Sequence, residues 1–137
     1  MRTTVRDGGG FEEAAAYSRA VRLGNHVAVS GTAALENGSV LHPGDLYRQT
    51  KTALAKALDA AAELGAGKDD VLRTRLLLAA GSDWQEAVRA HREVFVGTDP
   101  ANTSYFVGGF IPEGALVEVE IDAVLCDPPK ELREPPR

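Results

Sequence analysis

Apolar residues along this chain recur at two periods, and the switches between them mark out its elements. Across residues 116–125 the alternation is strict: Val117, Val119, Ile121, Ala123 and Leu125 fall on one side, Glu118, Glu120, Asp122 and Val124 on the other. Period two with one apolar side predicts a half-buried strand. Residues 71–80 begin the same way, Leu72, Thr74, Leu76 and Leu78 against Arg73, Arg75 and Leu77, and become continuously apolar, as in a strand covered on both faces. The β-prone runs 17–23 and 26–31 are joined by Gly24-Asn25, a pair suited to a tight hairpin turn. In the second run Val27 and Val29 share one face and His26, Ala28 and Ser30 the other. A β-prone run at 103–110, followed by the Ile111-Pro112-Glu113-Gly114 turn, predicts a second hairpin with 116–125. Residues 2–6 predict a short edge strand leading into a flexible Gly8-Gly9-Gly10.

The other period is three to four. Leu46, Thr50, Ala53, Leu54, Ala57, Leu58, Ala61 and Leu64 predict a helix over residues 43–64, with Pro43 in its first turn and Gly65 as its stop. Its alanine-rich stripe predicts a close approach to a sheet. Ser82 is the predicted N-cap of a second helix, whose inward stripe reads Trp84, Ala87, Val88, His91, Val94 and Phe95 before Gly97 and Pro100 end it. The order of elements predicts an α+β domain with one mixed β-sheet and two helices packed on one face. The opposite face then meets either water or further copies of the chain.

Length allows one domain, taken as residues 1–126, with the Pro-rich segment 127–137 predicted as a mobile tail. A net charge of −5 and the lack of a long basic stripe argue against nucleic acid as partner. No apolar run approaches the ~20 residues of a membrane span. With one cysteine, Cys126, no internal disulfide is possible, and the reducing cytoplasm is the expected compartment. The expected partner is a small molecule.

Most chemical motifs are missing. His26, His42 and His91 have no metal-binding spacing. Gly8-Gly9-Gly10 lacks the Lys-Ser/Thr of a phosphate loop, and Ala28 stands where a nucleophile elbow around Ser30 requires glycine. What stands out is the acidic row Glu118, Glu120, Asp122, whose members lie about 6.5–7 Å apart along one strand face. One reading is a wet face carrying solubilising charge. The other places one carboxyl in a cleft, where desolvation raises its pKa and makes it a proton carrier.

A resemblance sharpens the second reading. The run YSRAVRLGNHVAVSGT from Tyr17, Gln49-Thr50 in the alanine-rich helix, VLRTR from Val71, Asp83-Trp84, Pro100-Ala101 and LVEVEIDA from Leu116 together resemble the RidA (YjgF) family of reactive-intermediate deaminases. The likeness spans residues 17–125. It implies a chorismate-mutase-like α+β fold and a homotrimer with a central β-barrel and clefts between subunits. It also implies cofactor-free hydrolysis of enamine or imine metabolites, with an arginine for the substrate carboxylate and a glutamate to position water. On this resemblance Tyr17 matches the cleft tyrosine, Ser30 and Gly31 the cleft backbone, and Glu120 the water-positioning glutamate. Two positions depart. The family's Pro-Ala-Arg-Ser reads Pro100-Ala101-Asn102-Thr103 here, so Asn102 replaces the arginine, and Val88 stands where asparagine is frequent. Asparagine brings neither charge nor a bidentate fork. Two readings of function follow: an enzyme acting on an imine-type metabolite, or a trimer that binds a metabolite without chemistry.

Overall fold

The computed structural model describes residues 1–126; the predicted tail, 127–137, lies outside the described residues. Strands β1 (Arg2–Val5), β2 (Ala20–Leu23), β3 (His26–Thr32), β6 (Val71–Ala79), β7 (Ala101–Val107) and β8 (Val117–Val124) form one mixed sheet. Its order is β1-β2-β3-β8-β6-β7. Helix α2 (Leu46–Glu63) lies over β3 and β8, and α3 (Trp84–Phe95) lies beside it. The α+β class and the mixed sheet with its two long helices are as the periodicity predicts.

The centre of the sheet explains its stability. On β8, Val117, Val119, Ile121 and Ala123 are at most 1 % exposed, facing the helices, while Glu118, Glu120, Asp122 and Val124 are half-buried on the other face. Full burial of each Val or Ile contributes roughly 1.5–3 kcal/mol. Ala53, Ala57 and Ala61 on α2 are completely buried, so the small side chains bring the helix close to the strands.

Several local expectations are corrected. Residues 103–110 do not form a hairpin with 116–125. β7 pairs with β6 in parallel, from Arg73 opposite Ala101 to Ala79 opposite Val107, and β8 sits between β3 and β6, antiparallel to both. The cause is α3, which makes a strand-helix-strand crossover that returns the chain parallel. The link from β7 to β8 is then too long for a tight turn and carries the chain past β6.

Helix α2 starts at Leu46 rather than Pro43, because His42 (φ 54°) and Gly44 (φ 75°) break the backbone into left-handed conformations just before it. Its N-cap is Asp45, accepting from Arg48 N at 3.0 Å. Asp83, not Ser82, caps α3 by accepting from Gln85 N at 3.2 Å. Trp84 and Val88 are exposed, not inward: the buried stripe runs through Ala87, Ala90 and Phe95, with Trp84 at the helix end and Val88 one step around from Ala87.

A short helix and a small hairpin fall outside the expected elements. Residues after Gly8-Gly9 form helix α1 (Gly10–Ala15), and β4 (Leu35–Glu36) pairs with β5 (Ser39–Val40) around Asn37-Gly38, both at positive φ. The Asn-Gly signal was present, but two-residue strands leave no alternation to read.

Gln49 is fully buried and joins the start of α2 to the approach to β8. Its Nε2 donates to His42 O (3.2 Å) and Gly114 O (3.4 Å), and its Oε1 accepts from Leu116 N (2.9 Å). Gln49→Leu therefore strands a part-buried N–H and two carbonyls. Urea unfolding of this variant is expected to show a loss of about 1–3 kcal/mol; an unchanged midpoint would mean that water reaches those groups.

Candidate functional site

The sheet face opposite the long helices carries the chemistry-bearing residues of β8, β6 and the end of β3. Between Val29 and Thr32 the β3–β8 register shifts, which produces a bulge at Ser30 and Gly31. Such irregularities re-aim backbone groups. Ser30 holds the bulge to the chain before β2: its Oγ donates to Ser18 O at 2.7 Å and its N–H to Arg19 O at 2.9 Å. Its hydroxyl is thereby engaged in structure rather than poised as a nucleophile.

Arg19 lies behind the bulge with its side chain only 16 % exposed. Its Nη1 donates to Gly31 O at 2.6 Å and reaches Thr32 Oγ1 at 3.2 Å. Its Cζ lies 5.9 Å from the ring centre of Tyr17. Nε stands 3.3 Å from Asp7 Oδ2, close enough for an ion pair, but is misaligned for a hydrogen bond and has no acceptor. Sequence reading did not single out Arg19; a cation two residues from a candidate tyrosine was the available signal.

Glu118 lies against the bulge. A Cβ on Gly31 would fall 2.6 Å from its Oε1, so Gly31 leaves the space that the carboxylate occupies. No hydrogen bond or ion pair to another described residue holds this carboxylate. Burial raises its pKa above the ordinary glutamate value, the Arg19 charge opposes that rise, and neighbouring Glu120 adds to it. Of the acidic row, Glu118 is the carboxyl that burial pushes upward.

Glu120 and Asp122 differ in being paired. Arg75 Nη1 stands 3.4 Å from Glu120 Oε1 and 3.2 Å from Asp122 Oδ2. Thr103 is opposite Arg75 in the parallel register and so shares this face of the sheet.

Asn102 and Val88 belong to the other side. Asn102 Nδ2 donates to Thr74 Oγ1 at 3.0 Å, and Ser104 Oγ donates to Asn102 Oδ1 at 2.9 Å. Thr74, fully buried beneath α3, also shares a 2.8 Å hydrogen bond with His91 Nε2. Within one chain, then, Tyr17, Ser30, Gly31 and Glu120 belong to the open face and the loop behind it, whereas Asn102 and Val88 belong to the α3 side of the β7 edge.

His91 is a packing histidine, 4.7 Å from the Phe95 ring, and burial lowers its pKa below the usual 6.5. The unfolded chain therefore takes up the proton first on acidification. Stability is expected to fall as pH drops through the unfolded-state value near 6.5. Comparing melting temperatures of wild type and His91→Gln between pH 7.5 and pH 5.5 checks this; the variant should show the flatter profile.

Among the described residues no group of three or more His, Cys, Asp or Glu could hold a metal ion, and no helix is long and apolar enough to cross a membrane.

Comparison with known proteins agrees with this architecture. The pattern of the family described as Endoribonuclease L-PSP matches residues 10–125. A Streptomyces coelicolor protein of uncharacterised function is 41% identical over 119 residues, covering 87% of this chain and 89% of that one. The mouse 2-iminobutanoate/2-iminopropanoate deaminase is 31% identical over 109 residues, 79% of this chain and 80% of its own. A crystal structure of a YjgF-type family member from Mycobacterium tuberculosis superposes with a TM-score of 0.82 at 37% identity, covering 91% of this chain and all of that one. Together with the bulge at Ser30-Gly31 and the acidic strand facing it, these matches make the chain a member of the RidA/YjgF family, the Endoribonuclease L-PSP family.

Proposed function

We propose that this protein hydrolyses a small imine or enamine metabolite, with Glu118 as the proton carrier. The observation that carries this is the half-buried, unpaired Glu118 carboxyl resting on Gly31, with its pKa raised. A carboxyl whose pKa is moved toward neutrality exchanges protons best near physiological pH.

The chemistry balances without a cofactor. Protonation of an enamine at carbon by the Glu118 carboxyl gives the iminium ion and leaves the carboxylate. Water then adds to the C=N carbon, losing a proton to the carboxylate, and the carboxyl returns a proton to nitrogen. The protonated carbinolamine then gives its hydroxyl proton to the carboxylate, releases ammonia and leaves a carbonyl compound, which restores the starting carboxyl. Tyr17 lines the cleft and the Ser30–Gly31 backbone orients the substrate. Glu120 holds Arg75 in an ion pair on the acidic row.

The complete cleft needs more than one copy of the chain. Asn102 and Val88 are separated from the open face by the sheet, and Thr103 lies toward the sheet edge. They reach a shared cleft only when a neighbour presents its β7 edge to that face. The reading is therefore a homotrimer with the cleft between subunits, in the cytoplasm. Six of the seven β7 residues are exposed, which leaves that edge free for such a contact.

Asn102 bears on the substrate. Its amide is already bonded to Thr74 and Ser104, and Arg75 is engaged by Glu120 and Asp122. A substrate carboxylate finds no spare cation at these positions. Losing a charged hydrogen bond worth about 1.5–3 kcal/mol lowers kcat/KM for 2-imino acids by roughly ten- to a hundredfold. An imine without an α-carboxylate is the better candidate. The mouse relative, a 2-iminobutanoate/2-iminopropanoate deaminase, sets the comparison. The family name, Endoribonuclease L-PSP, also suggests RNA cleavage; the net charge of −5 and an acidic row at the site speak against a polyanion.

The test uses imines generated enzymatically, with and without an α-carboxylate, and follows ammonia release. Faster turnover of the uncharged imine is the expected result. Thermal stabilisation by a metabolite with no turnover of any imine would favour the second reading, a metabolite-binding trimer, which the loss of the cleft arginine supports.

A further inference from the structure

We propose that Arg19 is a positioning residue of this site, holding the Ser30–Thr32 bulge against which the Glu118 carboxylate rests and tying that bulge to the N-terminal segment through Asp7. The inference rests on the reading of Glu118 as the proton carrier, but its geometry stands apart from turnover.

Arg19 connects three parts of the chain. At one end Nη1 donates to Gly31 O at 2.6 Å and lies 3.2 Å from Thr32 Oγ1, while Thr32 Oγ1 itself donates to Ser30 O at 2.7 Å. The residues of the bulge are therefore cross-braced by one guanidinium. At the other end Nε pairs with Asp7 at 3.3 Å. Asp7 does not swing freely: its N–H donates to Glu12 Oε1 at 3.0 Å, Gly8 N–H donates to the same oxygen at 3.2 Å, and Glu12 is 2 % exposed. A buried carboxylate on α1 thus fixes the loop that carries the partner of Arg19. Tyr17 sits under the same guanidinium.

Arg19 also acts on the carboxyl across the bulge. The groups facing Glu118 are few. On β6 its register partner is Leu77, on β3 it meets Gly31, and the charges that bear on it are Arg19 and Glu120, with Asp7 behind Arg19 and Arg75 beside Glu120. Arg19 is the cation that opposes the rise caused by burial. Because Asp7 partly neutralises Arg19, removal of either residue moves Glu118 in a predictable and opposite sense.

The experiment follows the Glu118 side-chain carboxyl by NMR titration, together with the amide signals of Gly31 and Thr32, in Arg19→Met, Arg19→Lys and Asp7→Asn. Arg19→Met should displace both amide signals and raise the titration midpoint of Glu118. Arg19→Lys should recover most of the midpoint but not the amide positions, since one ammonium cannot reproduce the fork. Asp7→Asn should lower the midpoint, because Arg19 is then less compensated. Lost packing alone gives no reason for the two substitutions to act oppositely. Activity at pH 7 should fall about tenfold in Arg19→Met, in line with a small misplacement of a reacting group. Unchanged amide signals and an unchanged Glu118 midpoint in Arg19→Met would overturn the proposal. If that variant does not fold, Asp7→Asn decides: a lowered midpoint supports it, and an unchanged or raised one overturns it. None of the NMR readouts needs a substrate, so an inactive wild type would count against the imine reading and leave this inference standing.

Discussion

Glu118→Gln is expected to lower imine turnover by roughly 10²–10⁴, the usual contribution of a placed general acid-base group. The substitution keeps the shape of the side chain and removes its proton exchange. It does not create a buried unpaired charge, so the fold should survive. Relative to wild type, its stability should improve as pH rises. Glu118 holds its proton more tightly when folded than when unfolded, so the folded state is favoured at low pH and loses that advantage as pH rises through the folded value. The group is only half-buried, and screening keeps the effect small. Glutamine has no such dependence, so the difference in melting temperature should tilt toward the variant as pH rises above the ordinary glutamate value of 4.5. Glu120→Gln supplies the contrast. It frees one contact of Arg75 and leaves Asp122 to hold the guanidinium, so turnover should fall less than in Glu118→Gln. The reverse ranking of the two variants would return the proton-carrier role to Glu120, the residue that family resemblance points to.

The second large effect is at Gly31. Gly31→Ala should fold as well as wild type yet lose about a hundredfold in turnover. The new Cβ would sit 2.6 Å from Glu118 Oε1, which no real contact permits, so one of the two must move. The oxygen is at the free end of a flexible side chain and will yield before the backbone does. Displacement by about 1 Å is enough for a hundredfold loss. Stability is spared for the same reason. Gly31 does not occupy the left-handed region, so alanine costs little backbone strain, and it reduces the freedom of the unfolded chain by about 0.4–1 kcal/mol. Normal melting with weak activity is the predicted signature; a strongly destabilised variant would show that the bulge backbone, not the carboxylate, gave way.

These two residues show what could be read from sequence and what could not. The alternation of Val117, Val119, Ile121 and Ala123 announced β8, its buried face and its acidic face, because a central strand with one apolar side leaves a strict period. The alanine stripe of α2 and the Gly24-Asn25 hairpin were legible for equally local reasons. The pairing of β7 was not. Whether a β-prone run joins its sequence neighbour or crosses over through a helix depends on contacts between residues far apart, and periodicity carries no trace of it. Trp84 and Val88 looked inward because one helix stripe cannot reveal how far the helix overhangs its sheet. The same limit separated Glu118 from Glu120. Both face one way in the pattern, and only the neighbouring strands distinguish them: Gly31 and Arg19 near one, Arg75 beside the other.

The partition of β8 has a consequence for how this protein can change over time. Every second residue of that strand fills the hydrophobic interior, and the residues between them face outward and include the three acids. Inserting or deleting a single position would exchange the two sets, driving three acids beneath the helices and turning valines toward solvent. Within β8, variation on the open face is therefore limited to swaps at 118, 120 and 122 with the length held fixed, while the loops on either side remain free to grow.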